Sequence, residues 1–151
     1  MSKPQFVYEI SIAAPPQRVW EALTQSDFTR QYWSGRTIES DWKVGSRVRL
    51  SKPDGGHDWE GEVLEVDPPR RLVYTFACPA KPGEVAEPPS RVTLEIRASG
   101  GGVMLSVIHD NFPPESKILA GISRGWPGIL TNMKQLLETG AATEKAGCGC
   151  S

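Results

Sequence analysis

The chain has 151 residues, of which 38% are hydrophobic and 23% are charged, a composition typical of one globular domain. Seventeen basic and eighteen acidic side chains leave a formal net charge of −1, which favours neither a nucleic acid nor an anionic membrane surface as partner. No apolar run approaches the roughly 20 residues of a membrane span. Because the N-terminus also lacks a signal-peptide core, we expect a cytoplasmic protein without a membrane span.

The first elements along the chain are a strand and two short helices. Residues 6–12 alternate apolar and polar side chains, which predicts a half-buried strand. The pair Pro15-Pro16 is typical of the first turn of a helix, where the missing backbone N–H groups are not needed. A second short helix is predicted to start at a cap formed by Ser26 or Asp27 and to end near Trp33.

Six short strands are predicted next, because the apolar period changes to two. Turn-forming stretches such as Pro53-Asp54-Gly55-Gly56 and Asp67-Pro68-Pro69 separate them. Short strands at close spacing favour an antiparallel meander with one face toward solvent. The predicted strands are 36–40, 47–50, 59–66, 72–77, 91–97 and 103–109.

A long amphipathic helix is predicted at the end of the domain. Pro127 lies within it, so either the helix begins near Ser123 with the proline in its first turn, or it is kinked at the proline. Gly140 is typical of a helix stop, which assigns residues 1–140 to the domain and 141–151 to a flexible, cysteine-containing tail. The apolar stripe of the helix is Ile118, Ile122, Trp126, Ile129, Met133, Leu136 and Leu137.

Several local strings, taken in their order along the chain, carry a family resemblance. They are residues 14–24 (APPQRVWEALT), Tyr32-Trp33, residues 42–45 (WKVG), residues 60–74 (EGEVLEVDPPRRLVY) and Gly125-Trp126. In this order they resemble the START-like (SRPBCC, helix-grip) superfamily and, within it, the activator of Hsp90 ATPase homologue family. The match runs from about residue 6 to residue 140.

The resemblance implies an α+β helix-grip fold. In such a fold a curved antiparallel sheet wraps around a long C-terminal helix, with two short helices after the first strand and a cavity between sheet and long helix. Members of the family differ widely in ligand, and no cofactor is implied. Eukaryotic relatives carry the fold as one part of a larger co-chaperone that stimulates the ATPase of Hsp90.

An apolar pocket is the first functional hypothesis, with a lipid-like or aromatic small molecule as its ligand and no catalysis. Ligand pockets are mostly hydrophobic with a few placed polar groups. For each residue taken alone, packing in the core is the more common role. The candidate ligand-binding residues are Trp33, Trp42, Tyr74, Phe76, Met104, His109, Ile118, Ile122, Trp126, Ile129 and Met133.

An enzyme of the cyclase or hydrolase kind is the second hypothesis. It needs a general acid or base inside the cavity, and His109 and Tyr74 are the candidates. His109 lies next to Asp110 and Asn111 at the end of a strand, but a solvated strand end is the simpler interpretation, because neighbouring residues of a strand point to opposite faces. We assign no catalytic residue, since the chain has no nucleophile elbow and no metal-binding spacing.

The third hypothesis is a protein partner, such as the chaperone Hsp90, bound by the surface of a monomer or homodimer. Three cysteines do not make a disulfide framework and suit a reducing compartment. Two of them, Cys148 and Cys150, lie between glycines in the tail and are weak candidates for a soft-metal site or a redox pair. A tail without function is the simpler interpretation.

Overall fold

The structure is a computed structural model that describes residues 4–79, 82–83 and 85–139. Within these ranges the chain forms strands and helices in an order that matches the sequence-based prediction. They are β1 (Phe6–Ile12), α1 (Pro16–Thr24), α2 (Ser26–Tyr32), β2 (Thr37–Ser40), β3 (Arg47–Ser51), β4 (His57–Asp67), β5 (Arg71–Phe76), β6 (Ser90–Ser99), β7 (Gly102–Asp110) and α3 (Lys117–Thr139). The predicted boundary between the domain (residues 1–140) and the tail (residues 141–151) lies outside the described residues.

One curved antiparallel sheet contains all seven strands, in the order β1-β7-β6-β5-β4-β3-β2. Strands β2 to β7 pair with their neighbours in sequence, so the predicted six-stranded meander is confirmed, and β1 adds to it beside β7. The long helix α3 packs against the inner face of this sheet, and its apolar stripe joins the core. The predicted α+β helix-grip fold is therefore confirmed.

The alternation of side chains decides which face of the sheet is buried. In β6 the side chains of Val92, Leu94 and Ile96 are buried in the core. On the opposite face Arg91 forms a bidentate pair with Asp110 of β7, with N–O distances of 3.0 and 2.8 Å. Such alternation is the pattern of a sheet with one covered face.

Of the two sequence-based interpretations of α3, the one with a start near Ser123 is wrong. The helix begins at Lys117, and Pro127 lies in its interior. The start is capped from the β5–β6 loop, where the carboxylate of Glu87 accepts the backbone N–H of Lys117 at 3.0 Å and the hydroxyl of Ser116 at 2.5 Å. A carboxylate at a helix N-terminus satisfies free N–H groups and complements the helix dipole.

Helix side chains cover parts of both edges of the sheet. At the β2 edge, Thr29 Oγ1 accepts the N–H of Ile38 and Ser26 Oγ donates to the carbonyl of Ile38. Ser26 therefore does not cap α2 as predicted; the cap position is Gln25. At the β1 edge, Glu138 accepts the N–H of Ala13 at 2.7 Å. Covered edges discourage pairing with other chains.

Candidate functional site

The centre of the interior is a group of aromatic side chains between the sheet and the helices, which we call the aromatic cluster. Each of its members is at most 3% exposed. Strands β4, β5 and β7 contribute four of them from the sheet, while the others come from the end of α2, from the segment after β7 and from α3. The cluster consists of Trp33, Trp59, Tyr74, Phe76, His109, Phe112 and Trp126.

The rings of the cluster form a continuous series of contacts. Trp59 stacks on Tyr74 with ring centroids 5.2 Å apart and an interplanar angle of 8°, and it contacts Phe76 at 4.7 Å. Trp33 joins this group to the helix layer, because its ring is 6.2 Å from Trp59 and 5.7 Å from Trp126. Offset and tilted pairs at these separations are favourable beyond the area that they bury.

A small void remains within the cluster. Its volume is about 10 Å³, and it is lined by Trp33, Phe76, Ile122, Trp126 and Ile129. A space of this size holds about one water molecule. The aromatic side chains therefore fill most of the room between the sheet and α3 in this conformation.

His109 is the polar centre of the cluster and is fully buried, which corrects the interpretation of a solvated strand end. The indole N–H of Trp126 donates to His109 Nδ1 at 3.1 Å. Because an indole only donates, Nδ1 must be unprotonated and the proton of the neutral ring lies on Nε2. Nε2 then donates to Ser90 Oγ at 2.8 Å, and Ser90 donates to the carbonyl of Phe76 at 3.1 Å.

Burial controls protonation of the candidate acid and base. Desolvation lowers the pKa of His109 to about 3, although the negative charge of Asp110 acts in the opposite direction. Desolvation also raises the pKa of Tyr74 above its ordinary value. At neutral pH both side chains are therefore uncharged, and both ring nitrogens of His109 are occupied by hydrogen bonds.

Most of the residues proposed from the sequence do meet in this region. Ile118 and Met133 flank it: Met133 is fully buried, and Ile118 is partly buried against the core. The proposed residues that form the cluster or line its void are Trp33, Tyr74, Phe76, His109, Ile122, Trp126 and Ile129.

Met104 is not part of the site. Its neighbours Val103 and Leu105 are fully buried on the inner face of β7. Successive side chains of a strand point to opposite faces, so Met104 lies on the outer face, opposite Ser11 in the register of β1 and β7. The prediction for Met104 is wrong for this reason.

Trp42 lies at a different place, on an outer cleft of about 540 Å³ beside the edge strand β2. Its backbone is left-handed, with a φ of 54°, and its indole N–H donates to the carbonyl of Thr24 at 3.0 Å. Polar and charged side chains, including Asp41 and Arg49, line this cleft. The structure therefore separates Trp42 from the aromatic cluster.

Three residues of the site were missed in the sequence. Trp59 follows the alternation of β4, in which Trp59 and Val63 are fully buried, so the period of two was a usable signal. Phe112 and Ser90 lie at the ends of β7 and β6, where the local pattern gives no indication of a contact with His109.

The remaining expectations concern metal ions, cysteines and membrane spans. No group of three or more His, Cys, Asp or Glu side chains in the described part of the chain is arranged to hold a metal ion. Cys78 is disulfide-bonded, which the expectation of a reducing compartment did not predict. Cys148 and Cys150 lie outside the described residues. Among residues 4–79, 82–83 and 85–139, no helix is both long and apolar enough to span a membrane.

Comparison with solved structures places this geometry among known folds. A protein of Mesorhizobium loti is 28% identical, with a TM-score of 0.76 over 89% of this chain and 97% of that chain. The Aha1 dimer of Colwellia psychrerythraea is 20% identical, with a TM-score of 0.73 over 91% and 98% of the two chains. An Hsp90 activator of Plasmodium falciparum is 23% identical, with a TM-score of 0.72 over 89% and 96%.

Comparison with curated proteins finds no match. The family model described as activator of Hsp90 ATPase homolog 1-like protein matches residues 13–138. This range includes both short helices, strands β2 to β7 and nearly all of α3, and every member of the aromatic cluster lies within it. The chain therefore belongs to the family of activator of Hsp90 ATPase homolog 1-like proteins.

Proposed function

We propose that this domain binds an apolar or aromatic small molecule between the sheet and α3, in the region of the aromatic cluster, without catalysing a reaction. The observation that carries the proposal is the aromatic cluster itself, which gathers large rings from both layers around a void. A buried apolar site gains roughly 25 cal/mol for each Å² of apolar surface removed from water.

A ligand larger than a water molecule requires the helix to move, since the void measures only about 10 Å³. The middle of helix α3 has two features that favour bending there. Pro127 has no N–H and leaves the carbonyl of Ser123 without its helical partner, and Gly128 has open space around it. Beyond this point the helix is tied to β1 through Lys134, which donates to the carbonyl of Ser11 at 2.5 Å.

The N-terminal half of α3 is thus the part that we expect to open. It carries Ile122 and Trp126, which line the void, and its first turn is fastened by Glu87 of the β5–β6 loop. Release of this contact would allow residues 117–126 to swing outward about Pro127 while the C-terminal half stays on the sheet.

The geometry argues for binding over catalysis. A general acid or base at neutral pH needs a pKa near the working pH and a free position for proton transfer. His109 has a pKa lowered to about 3, and both of its nitrogens are occupied. Tyr74 is held in its protonated form by burial.

The test is native mass spectrometry of the purified protein, followed by tryptophan-fluorescence titration with fatty acids, sterols, flavonoids and aromatic polyketides. We expect saturable quenching in the wild type, loss of that response in Trp126→Ala and no loss in Trp42→Phe, since Trp42 lies outside the cluster. If Trp126→Ala does not fold, Ile122→Phe serves instead, because a larger side chain at the void blocks the ligand. Absence of binding across the panel would overturn the proposal.

A co-chaperone-like interaction with Hsp90 is the second candidate function, and the description of the family favours it. In that case the surface of the domain binds Hsp90, and the interior only stabilises the fold. Capture of Hsp90 and stimulation of its ATPase without any small ligand would favour this candidate. The same native mass spectra distinguish a monomer from a homodimer.

A further inference from the structure

Two indole N–H groups in the aromatic cluster have no acceptor among the residues that the structure describes. The N–H groups of Trp33 and Trp59 are buried, and within the described residues no nitrogen or oxygen accepts a hydrogen bond from either. The two side chains are 3% and 0% exposed. Buried donors in folded proteins almost always have a partner, and a desolvated donor without one destabilises the fold.

Two other tryptophans of the chain, Trp42 and Trp126, do have acceptors for their indole N–H groups. Trp42 donates to the carbonyl of Thr24, and Trp126 donates to His109, each at about 3 Å. Trp33 and Trp59 have no such acceptor among the described residues, and the ring nitrogen Nδ1 of His109 already accepts the indole N–H of Trp126. Trp59 lies against the rings of Tyr74 and Phe76, and Trp33 lies against the rings of Trp59 and Trp126.

The two rings that carry these donors lie at the void or beside a ring that lines it. The ring of Trp33 lines the void, and the ring of Trp59 lies next to it, with centroids 6.2 Å apart. The cluster contains no charged side chain, since its single histidine is neutral. A carboxylate or an ammonium group would therefore be desolvated here without a counter-ion, which is costly.

From these contacts we infer that the ligand is a neutral, planar aromatic compound with a carbonyl oxygen, such as an aromatic ketone or quinone, and that the indole N–H groups of Trp33 and Trp59 donate to it. The inference rests on the proposed function and deepens it. The aromatic rings bind the planar skeleton in this arrangement, and the two donors select for the oxygen.

A matched pair of probes tests the selection. 9-Fluorenone and fluorene have the same ring skeleton and differ in one group, a carbonyl in place of a methylene. We expect the wild type to bind 9-fluorenone about tenfold more tightly than fluorene, because the carbonyl satisfies buried donors that fluorene leaves unpaired. A purely apolar pocket would prefer fluorene, which loses no hydration of a carbonyl on entry.

Variants without the donors make the test specific. Trp33→Phe and Trp59→Phe keep an aromatic ring and remove the N–H, and we expect each to lower the ratio of the two affinities toward one. The ratio is taken within each protein, so a general loss of packing cancels. Trp42→Phe is the control that keeps the wild-type ratio, since the partner of Trp42 is the carbonyl of Thr24.

An NMR measurement on the wild type keeps the inference falsifiable if a variant fails to fold. We expect the indole N–H resonances of Trp33 and Trp59 to move downfield with 9-fluorenone and not with fluorene. Equal affinity for both probes, or a ratio that neither variant changes, would overturn the inference and leave the proposed pocket intact. Failure of both probes to bind, together with the wider panel, would overturn the pocket as well.

Discussion

The buried histidine makes the stability of this domain depend on pH between neutrality and mild acid. His109 is fully buried and uncharged, and desolvation lowers its pKa from the ordinary 6.5 to about 3. In the unfolded chain the same imidazole has its ordinary pKa. Between these two pKa values the unfolded state binds a proton that the folded state does not, so the free energy of unfolding falls as the pH falls.

The size of the effect follows from the shift. Each pH unit below the unfolded pKa removes about 1.4 kcal/mol, so lowering the pH from 7 to 5 removes about 2 kcal/mol. The loss continues until the pH approaches the folded pKa. Glu138 adds to the pH dependence only in more acidic solution. Its folded pKa lies below the ordinary 4.5, chiefly because it accepts the N–H of Ala13. The stability that it gives at neutral pH is therefore lost as the pH falls from about 4.5 through the folded pKa.

The assay is urea unfolding at pH 7, 6 and 5 for the wild type and for His109→Gln. The amide of glutamine offers a hydrogen-bond donor and acceptor, as the neutral imidazole does, but it does not take up a proton in this pH range. We expect the variant to be less stable at pH 7 and to lack the part of the slope that belongs to His109. The difference between the two curves therefore isolates this side chain, because every other titrating group is present in both proteins. Parallel curves from pH 7 to pH 5 would refute a buried, neutral His109.

Two further predictions concern the frame around the site. Gly61→Ala should lower the free energy of unfolding by about 3 kcal/mol, because a Cβ atom there would overlap the backbone carbonyl of Thr75. The control Gly101→Ala should change this free energy little, because the space around Gly101 is open. Chemical denaturation measures both variants, and equal effects would contradict the close approach of Gly61 to Thr75. Glu87→Gln should speed ligand association in stopped-flow fluorescence, because it weakens the contact between residue 87 and the first turn of α3. Glu115→Gln is the matched control. An unchanged rate in Glu87→Gln would mean that this contact does not limit ligand entry.

The fold was largely predictable from local patterns. Alternation in residues 6–12 and in the six later strands, and the helical period from Ile118 to Leu137, require no knowledge of distant contacts. The group that caps the start of α3 was not predictable in this way. The cap is the carboxylate of Glu87, which reaches the first turn from another part of the chain.

The site was predictable only where the period of a strand or helix assigns a face. That rule supports Tyr74 and Phe76, would have included Trp59 and excludes Met104. The burial of His109 depends on contacts that no local pattern contains. The ring of Phe112, which follows β7, lies 4.7 Å from the ring of His109 between centroids. The indole N–H of Trp126 in α3 donates to His109.

The distribution of unsatisfied groups gives the strongest reason to regard the interior as a site and not only as a core. On the outer face of the sheet, paired charges such as Arg91 with Asp110 are fully matched. Inside, the indole N–H groups of Trp33 and Trp59 have no acceptor among the described residues, and they lie close to a void and to a helix that contains Pro127. A sequence selected for stability alone would remove each of these features, and departures from the rules of packing concentrate at functional positions. Their coincidence between one sheet and one helix is the reason for the proposal of a ligand that completes the hydrogen bonds when the helix opens.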